Sequence, residues 1–241
     1  MFSLLDFLYP KACPVCDRVM GKGEPDCCPE CMAALRPVGN VTCYSCGKPV
    51  ADETREYCYD CSGKKRAFLR GYSAFLYEDV IRDALLGFKF HYKPWRADFF
   101  AEELVRRKGE DMLKHDPELV IPVPLHTDKL RKRGYNQAAL LARKVAELLK
   151  LPENERLLIR NRETVAQKKL DNTSRRRNLV GAFSVNEKEL EKVLPSCSSR
   201  TVLLIDDIYT TGSTMDACAS VLLSAGFRHV IFGTVSTGSG Y

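Results

Sequence analysis

The chain has 241 residues, of which 45% are hydrophobic and 28% charged, a globular composition with room for one large domain or a medium domain plus a small module. No apolar run approaches the length of a membrane span, which argues against a membrane-embedded protein. The 37 Lys and Arg outnumber the 31 Asp and Glu to give a formal charge of +6, a balance that suits a phosphorylated small molecule or a nucleic acid equally well.

The start, Met1 to Tyr9, lacks the basic segment and cleavage site of a secretory signal. It reads as a short amphipathic packing element of a cytoplasmic protein. Nine of the eleven cysteines follow before residue 62. Cys13, Cys16, Cys28 and Cys31 have the spacing C-x2-C-x11-C-x2-C, and Cys43, Cys46, Cys58 and Cys61 repeat it thirty residues later. A tandem duplication accounts for the offset. Each C-x2-C puts two thiolates on one tight turn, and two such turns close a tetrahedral site with no open position, the structural use of zinc. Two zinc ions in two ribbons are therefore expected. Sequential pairing and a cross-braced arrangement both satisfy the spacing, Cys27 competes with its neighbour Cys28, and an all-cysteine set also suits an iron-sulfur cluster.

Residues 1–66 read as this double ribbon and residues 67–241 as a second domain, joined through the polar stretch Ser62 to Arg66. Phe68 to Tyr77 has the pattern of a strand, and Glu78 to Phe90 that of a helix with Val80, Ile81, Ala84, Leu85 and Phe88 on one face. A further helix runs from Trp95 to about Leu113, and its spacing assigns Trp95, Phe99 and Phe100 to the core.

Leu119 to Pro124 is an apolar strand ended by two prolines. A loop from Leu125 to Gln137 follows, carrying Lys129, Arg131, Lys132, Arg133 and Gly134, and then a helix from Ala138 to Leu149. Basic side chains between a strand and a helix can hold a dianion. After a short strand at Leu157 to Ile159, residues 160–178 are polar and basic. Arg160, Arg162, Gln167, Arg175, Arg176 and Arg177 have the composition of a loop that closes over a ligand or binds nucleic-acid phosphates.

Asn186 to Pro195 is a charged helical or loop segment. Of the two cysteines outside the cluster, Cys197 reads as a surface thiol and Cys218 as a packed one. Val202 to Ile205 forms a buried strand, with Asp206 and Asp207 at its carboxyl end. Thr210, Thr211, Gly212, Ser213 and Thr214 make a turn before a helix from Met215 to Ala225. His229 to Val235 is the last strand, and Ser236 to Tyr241 reads as a frayed tail. In an open parallel sheet, ligands bind beyond the strand carboxyl ends, where helix N-H groups and dipoles gather. Carboxylates for sugar hydroxyls beside a turn for a phosphate suggest a ribose-5-phosphate site.

Val202 to Thr214 resembles, at every position, the 5-phosphoribosyl-1-pyrophosphate (PRPP) motif of type I phosphoribosyltransferases. Val120-Ile-Pro-Val-Pro124, Arg133-Gly-Tyr-Asn-Gln137 and the paired cysteine units together resemble the ComF family, phosphoribosyltransferase-like proteins associated with DNA uptake in natural transformation. The resemblance implies an α/β doubly wound parallel sheet behind a small zinc-ribbon module. It further implies that Asp206 and Asp207 hold ribose hydroxyls and the waters of a Mg²⁺ ion, that residues 210–214 hold the 5-phosphate, and that Arg131, Lys132, Arg133 and Gly134 meet the pyrophosphate. Single-stranded DNA and a DNA-translocating ATPase are the implied partners. Purine-salvage enzymes of this fold carry Asp where this chain has Thr210, which argues against a hypoxanthine or guanine substrate. An active phosphoribosyltransferase with another acceptor, and a PRPP-sensing scaffold without turnover, use the same residues.

Overall fold

The computed structural model describes residues 11–21, 23–162 and 181–240. In chain order its elements are α1 (Pro29–Ala34), β1 (Arg70–Leu76), α2 (Asp79–Phe90), α3 (Arg96–Leu113), β2 (Leu119–Pro122), α4 (Thr127–Arg133) and α5 (Gln137–Leu149). They continue with β3 (Leu158–Arg160), β4 (Phe183–Val185), α6 (Glu187–Val193), a single 3₁₀ turn (Leu194–Ser196), β5 (Thr201–Tyr209), α7 (Ser213–Ser224) and β6 (His229–Thr237). The amino-terminal segment read as a packing element, together with Gln167, Arg175, Arg176 and Arg177, lies outside the described residues.

Four strands form a parallel sheet in the order β1–β6–β5–β2, and β3 pairs with β4 in a separate antiparallel ribbon. The central strands are continuous apolar runs because both of their faces are covered. Leu203, Ile205, Ile231 and Val235 enter one core with α2, α3 and α5; Val202, Leu204, Val230 and Phe232 enter the other with α7. This is the expected α/β sheet with helices on both sides. Among the described residues no helix is long and apolar enough to cross a membrane.

The two cysteine units do not sit together. Cys13, Val15, Met20, Cys28 and Leu35 belong to the first core, whereas Cys43, Cys46, Val50, Cys58 and Cys61 belong to the second. The units straddle β1 and occupy its outer edge through Leu76 N-H to Arg36 O (2.8 Å), Val38 N-H to Ala74 O (3.0 Å) and Gly71 N-H to Ser45 O (2.9 Å). Covering an edge strand removes a site for unwanted pairing.

Several readings change. The loop between β2 and α5 contains α4, a seven-residue helix with no buried residue, so it lacked the apolar periodicity by which helices are recognised. Trp95 is 43% exposed, although Phe99 and Phe100 are buried as expected. Cys197 is buried rather than a surface thiol. Arg66 is not a solvated linker residue, since its side chain is 4% exposed and pairs with Asp216 at 2.8 Å. The tail is not frayed up to residue 240. β6 runs through Thr237, and buried Gly240 lies where a Cβ would overlap the Pro49 carbonyl and approach Cys58 Cβ to 2.9 Å.

Candidate functional site

Each cysteine unit is built from a repeated knuckle. Cys13 N-H bonds Arg18 O and Cys43 N-H bonds Lys48 O, both at 2.8 Å, while Asp17 N-H and Gly47 N-H return to Cys13 O and Cys43 O at 3.0 Å. The knuckle demands a left-handed residue, and the repeat supplies Asp17 (φ 66°) and Gly47 (φ 72°) at equivalent places. Gly47 is required because a Cβ would overlap the Gly71 carbonyl. Asp17 is tolerated as one of the few residues that visit this region, and its carboxylate binds Arg96 (2.7 Å) and Lys93 (2.5 Å).

The sulfurs form two groups, Cys13, Cys16, Cys28 and Cys31, and Cys43, Cys46, Cys58 and Cys61, with ligand atoms inside each group within 4.8 Å of one another. Four sulfurs at about 2.3 Å from a tetrahedral zinc lie roughly 3.8 Å apart. Cys13 and Cys28 are 3.6 Å apart, Cys16 and Cys28 3.9 Å, and Cys46 and Cys58 3.6 Å. The two sites therefore fit two structural zinc ions, with sequential rather than cross-braced pairing. Cys27 stands outside the first group. Its thiol donates to Cys28 O at 3.7 Å, and burial followed by the nearby Cys13 pushes its pKa up.

The second site is a cleft of about 190 Å³ at the carboxyl ends of β2 and β5. Asp206, Asp207 and Thr214 line it together with Lys89, Lys129, Arg133, Asn136, Gln137 and Arg160. Asp207 is buried and accepts an ion pair from Lys89 Nζ at 3.0 Å. Asp206 accepts the Asp207 N-H at 2.8 Å, and burial together with the adjacent Asp207 charge raises its pKa to about 7. An acid pair lining a cleft beside one lysine can accept sugar hydroxyls or a hydrated divalent cation.

The stretch from Gly134 to Gln137 shapes the cleft wall. Gly134 ends α4 in the left-handed region (φ 78°), and Asn136 caps α5 by accepting the Ala138 N-H at 3.2 Å while donating to Val123 O at 3.1 Å. The Tyr135 hydroxyl donates to Phe88 O, and buried Gln137 accepts from Arg133 at 3.0 Å. These contacts hold the carboxyl end of α2, and thus Lys89, against the end of α4. The pattern Arg-Gly-Tyr-Asn-Gln is thus a set of helix ends and ties that aims cations at the acid pair.

Of the residues proposed for pyrophosphate, Arg133 lines the cleft, whereas Arg131, Lys132 and Gly134 are exposed outside it. Lys129 lies one helical turn before Arg133 and shares its cleft-facing side. In the turn read for the 5-phosphate, Thr210 is exposed, Thr211 Oγ1 lies 3.3 Å from Ser213 Oγ, Gly212 has φ 83° at the start of α7, and Thr214 reaches the cleft. Arg160 lines the cleft and Arg162 is exposed. Lys89 and Asn136 were not singled out. Lys89 closes an ordinary amphipathic helix, and only Asn136's place before an apolar run could have marked it as a cap.

A sequence model of the double zinc ribbon domain matches residues 4–62. The chain is 27% identical to Competence protein F of Haemophilus influenzae over 220 residues, covering 84% of this chain and 93% of that protein. It is 27% identical to Competence protein ComFC of Bacillus subtilis over 214 residues, covering 85% and 81%. It is likewise 27% identical to the DNA utilization protein YhgH of Escherichia coli K12 over 224 residues, covering 90% and 92%. The paired tetracysteine units, the parallel sheet behind them and this similarity along most of both chains support a ComF family protein.

Proposed function

We propose that the cleft binds PRPP with Mg²⁺ and that the protein serves the cytoplasmic handling of incoming DNA, with single-stranded DNA and a DNA-translocating ATPase as partners. The observation that carries the ligand reading is that the Asp206 and Asp207 carboxylates and the Lys129 and Arg133 cations line one cleft at the carboxyl ends of parallel strands. The acids suit the ribose hydroxyls and the cations suit the pyrophosphate. Asp206 and Asp207 are the residues that would hold Mg²⁺, which supplies charge neutralisation at the pyrophosphate. The DNA role draws on the names of the relatives, two called competence proteins and one a DNA utilization protein.

Titration calorimetry with PRPP and Mg²⁺ tests the site. Asp207→Asn removes one carboxylate charge and the Lys89 pair, and binding should fall at least tenfold; unchanged affinity would refute the assignment. Release of pyrophosphate by the wild type, lost in the same variant, would extend the reading to a phosphoribosyltransferase.

A further inference from the structure

Tyr209 follows the acid pair but does not line the cleft. Its side chain is 1% exposed, stacks on Phe232 at 4.9 Å, meets Phe68 edge-on at 6.2 Å and lies 5.7 Å from Lys48 Nζ. Lys48 stands two residues beyond Cys46, and Gly71 leaves the space shared by Phe232 and the Cys46 carbonyl. The ring therefore packs in the same core as the four cysteines of the second unit. Its hydroxyl is buried and has no hydrogen-bond partner among the described residues.

An orphaned buried donor is costly, and zinc supplies the missing acceptor by making the cysteines thiolates. Donors in the outer shell orient metal ligands and tune their basicity. The same hydroxyl lies against the phosphate loop, since a Cβ on Gly212 would overlap it. Arg66 adds a second tie. It donates to Asp60 O inside the unit (2.8 Å), to Thr211 O in the loop (3.0 Å) and to the Asp216 carboxylate in the first turn of α7 (2.8 Å).

We propose that the Tyr209 hydroxyl donates to the zinc-bound Cys46 thiolate, and that Tyr209 and Arg66 make the second zinc site the template holding the Thr210–Thr214 loop. The first unit takes no part, because it packs in the other core. By linkage, a ligand held in that loop also tightens the second zinc ion. The ligand half rests on the phosphoribosyl reading; the metal half does not.

The full-length chain loaded with Co²⁺ tests the hydrogen bond. Tyr209→Phe keeps the ring and removes the donor, so the thiolate-to-cobalt charge-transfer band should move to lower energy. In the zinc protein, one of the two ions should pass to a chelator roughly tenfold faster. An unchanged spectrum with unchanged release would overturn the hydrogen bond. The template is tested without any variant: saturating PRPP with Mg²⁺ should slow release of one zinc and leave the other unaffected. Equal release rates, while calorimetry shows PRPP bound, would overturn the coupling. If calorimetry shows no PRPP binding, the phosphoribosyl reading and the ligand half fail together, and the cobalt spectrum still decides the metal half.

Discussion

Asp206 and Asp207 are neighbours in sequence with different tasks. Asp207 is engaged by Lys89, whereas Asp206 carries the raised pKa of about 7 caused by burial and by the adjacent charge. Between about pH 4 and pH 7 the folded protein keeps a proton on Asp206 that the unfolded chain gives up. This group's contribution to stability is therefore most favourable below its unfolded value and is lost as pH rises through 7. Asp206→Asn removes the charge without removing the shape. It should melt above the wild type at pH 8, with the gap shrinking as pH falls toward 4, each pKa unit being worth about 1.4 kcal/mol; a wild type that melts higher at pH 8 would contradict this. The acid pair was legible because residue type at every position from Val202 to Thr214 resembles a known pattern. Lys89 was not, because its charge reaches Asp207 only after α2 packs on the sheet.

At the level of elements, the clearest sequence signal was the exact thirty-residue repeat, and the knuckles follow it down to the left-handed positions at Asp17 and Gly47. The repeats nevertheless diverge. Among the described residues only the first contains a helix, α1, and only the second receives the Gly240 tail and Arg66. Each unit is too small to bury its own surface, so its neighbours decide its details. The end of α4 makes the same point. Gly134 sits at φ 78°, with Tyr92 Cε2 at 2.9 Å from where a Cβ would lie. Gly134→Ala should cost about 1 kcal/mol from backbone conformation, with any shift of Tyr92 adding to it. Chemical denaturation measures this, and an unchanged midpoint would show that the left-handed cap is not needed. Weaker PRPP binding in the same variant would show that the turn aims Arg133 at the cleft.

For the whole molecule, the units straddling β1 leave the carboxyl-end cleft open with cations around it. Arg131 and Lys132 are exposed beside the cleft without lining it, which separates DNA affinity from ligand affinity. Binding of single-stranded DNA should weaken with salt, with a log–log slope of about 0.7 per phosphate neutralised. Replacing Arg131 and Lys132 by Gln should lower that slope by about 1.4 if each meets a phosphate, while PRPP affinity stays unchanged. A slope that does not move would place the DNA path elsewhere, and no binding at low salt would refute the DNA role.

From the sequence alone came the parallel α/β sheet, the two tetracysteine sites and the acid pair with its turn. Each is carried by local spacing, whether apolar runs, paired cysteines or a contiguous string, and local spacing survives without knowledge of the fold. The tertiary structure decided that the cysteine units pair sequentially and lie on opposite faces of the sheet. It also decided that Lys89 meets Asp207, that Arg133 and Lys129 rather than Arg131 and Lys132 line the cleft, that Arg66 joins the second unit to the Thr210–Thr214 turn, and that Tyr209 lies against Gly212 in it. Those choices depend on contacts between segments distant in the chain, and such contacts are made only when the sheet brings its helices, its edge and its carboxyl ends into fixed positions.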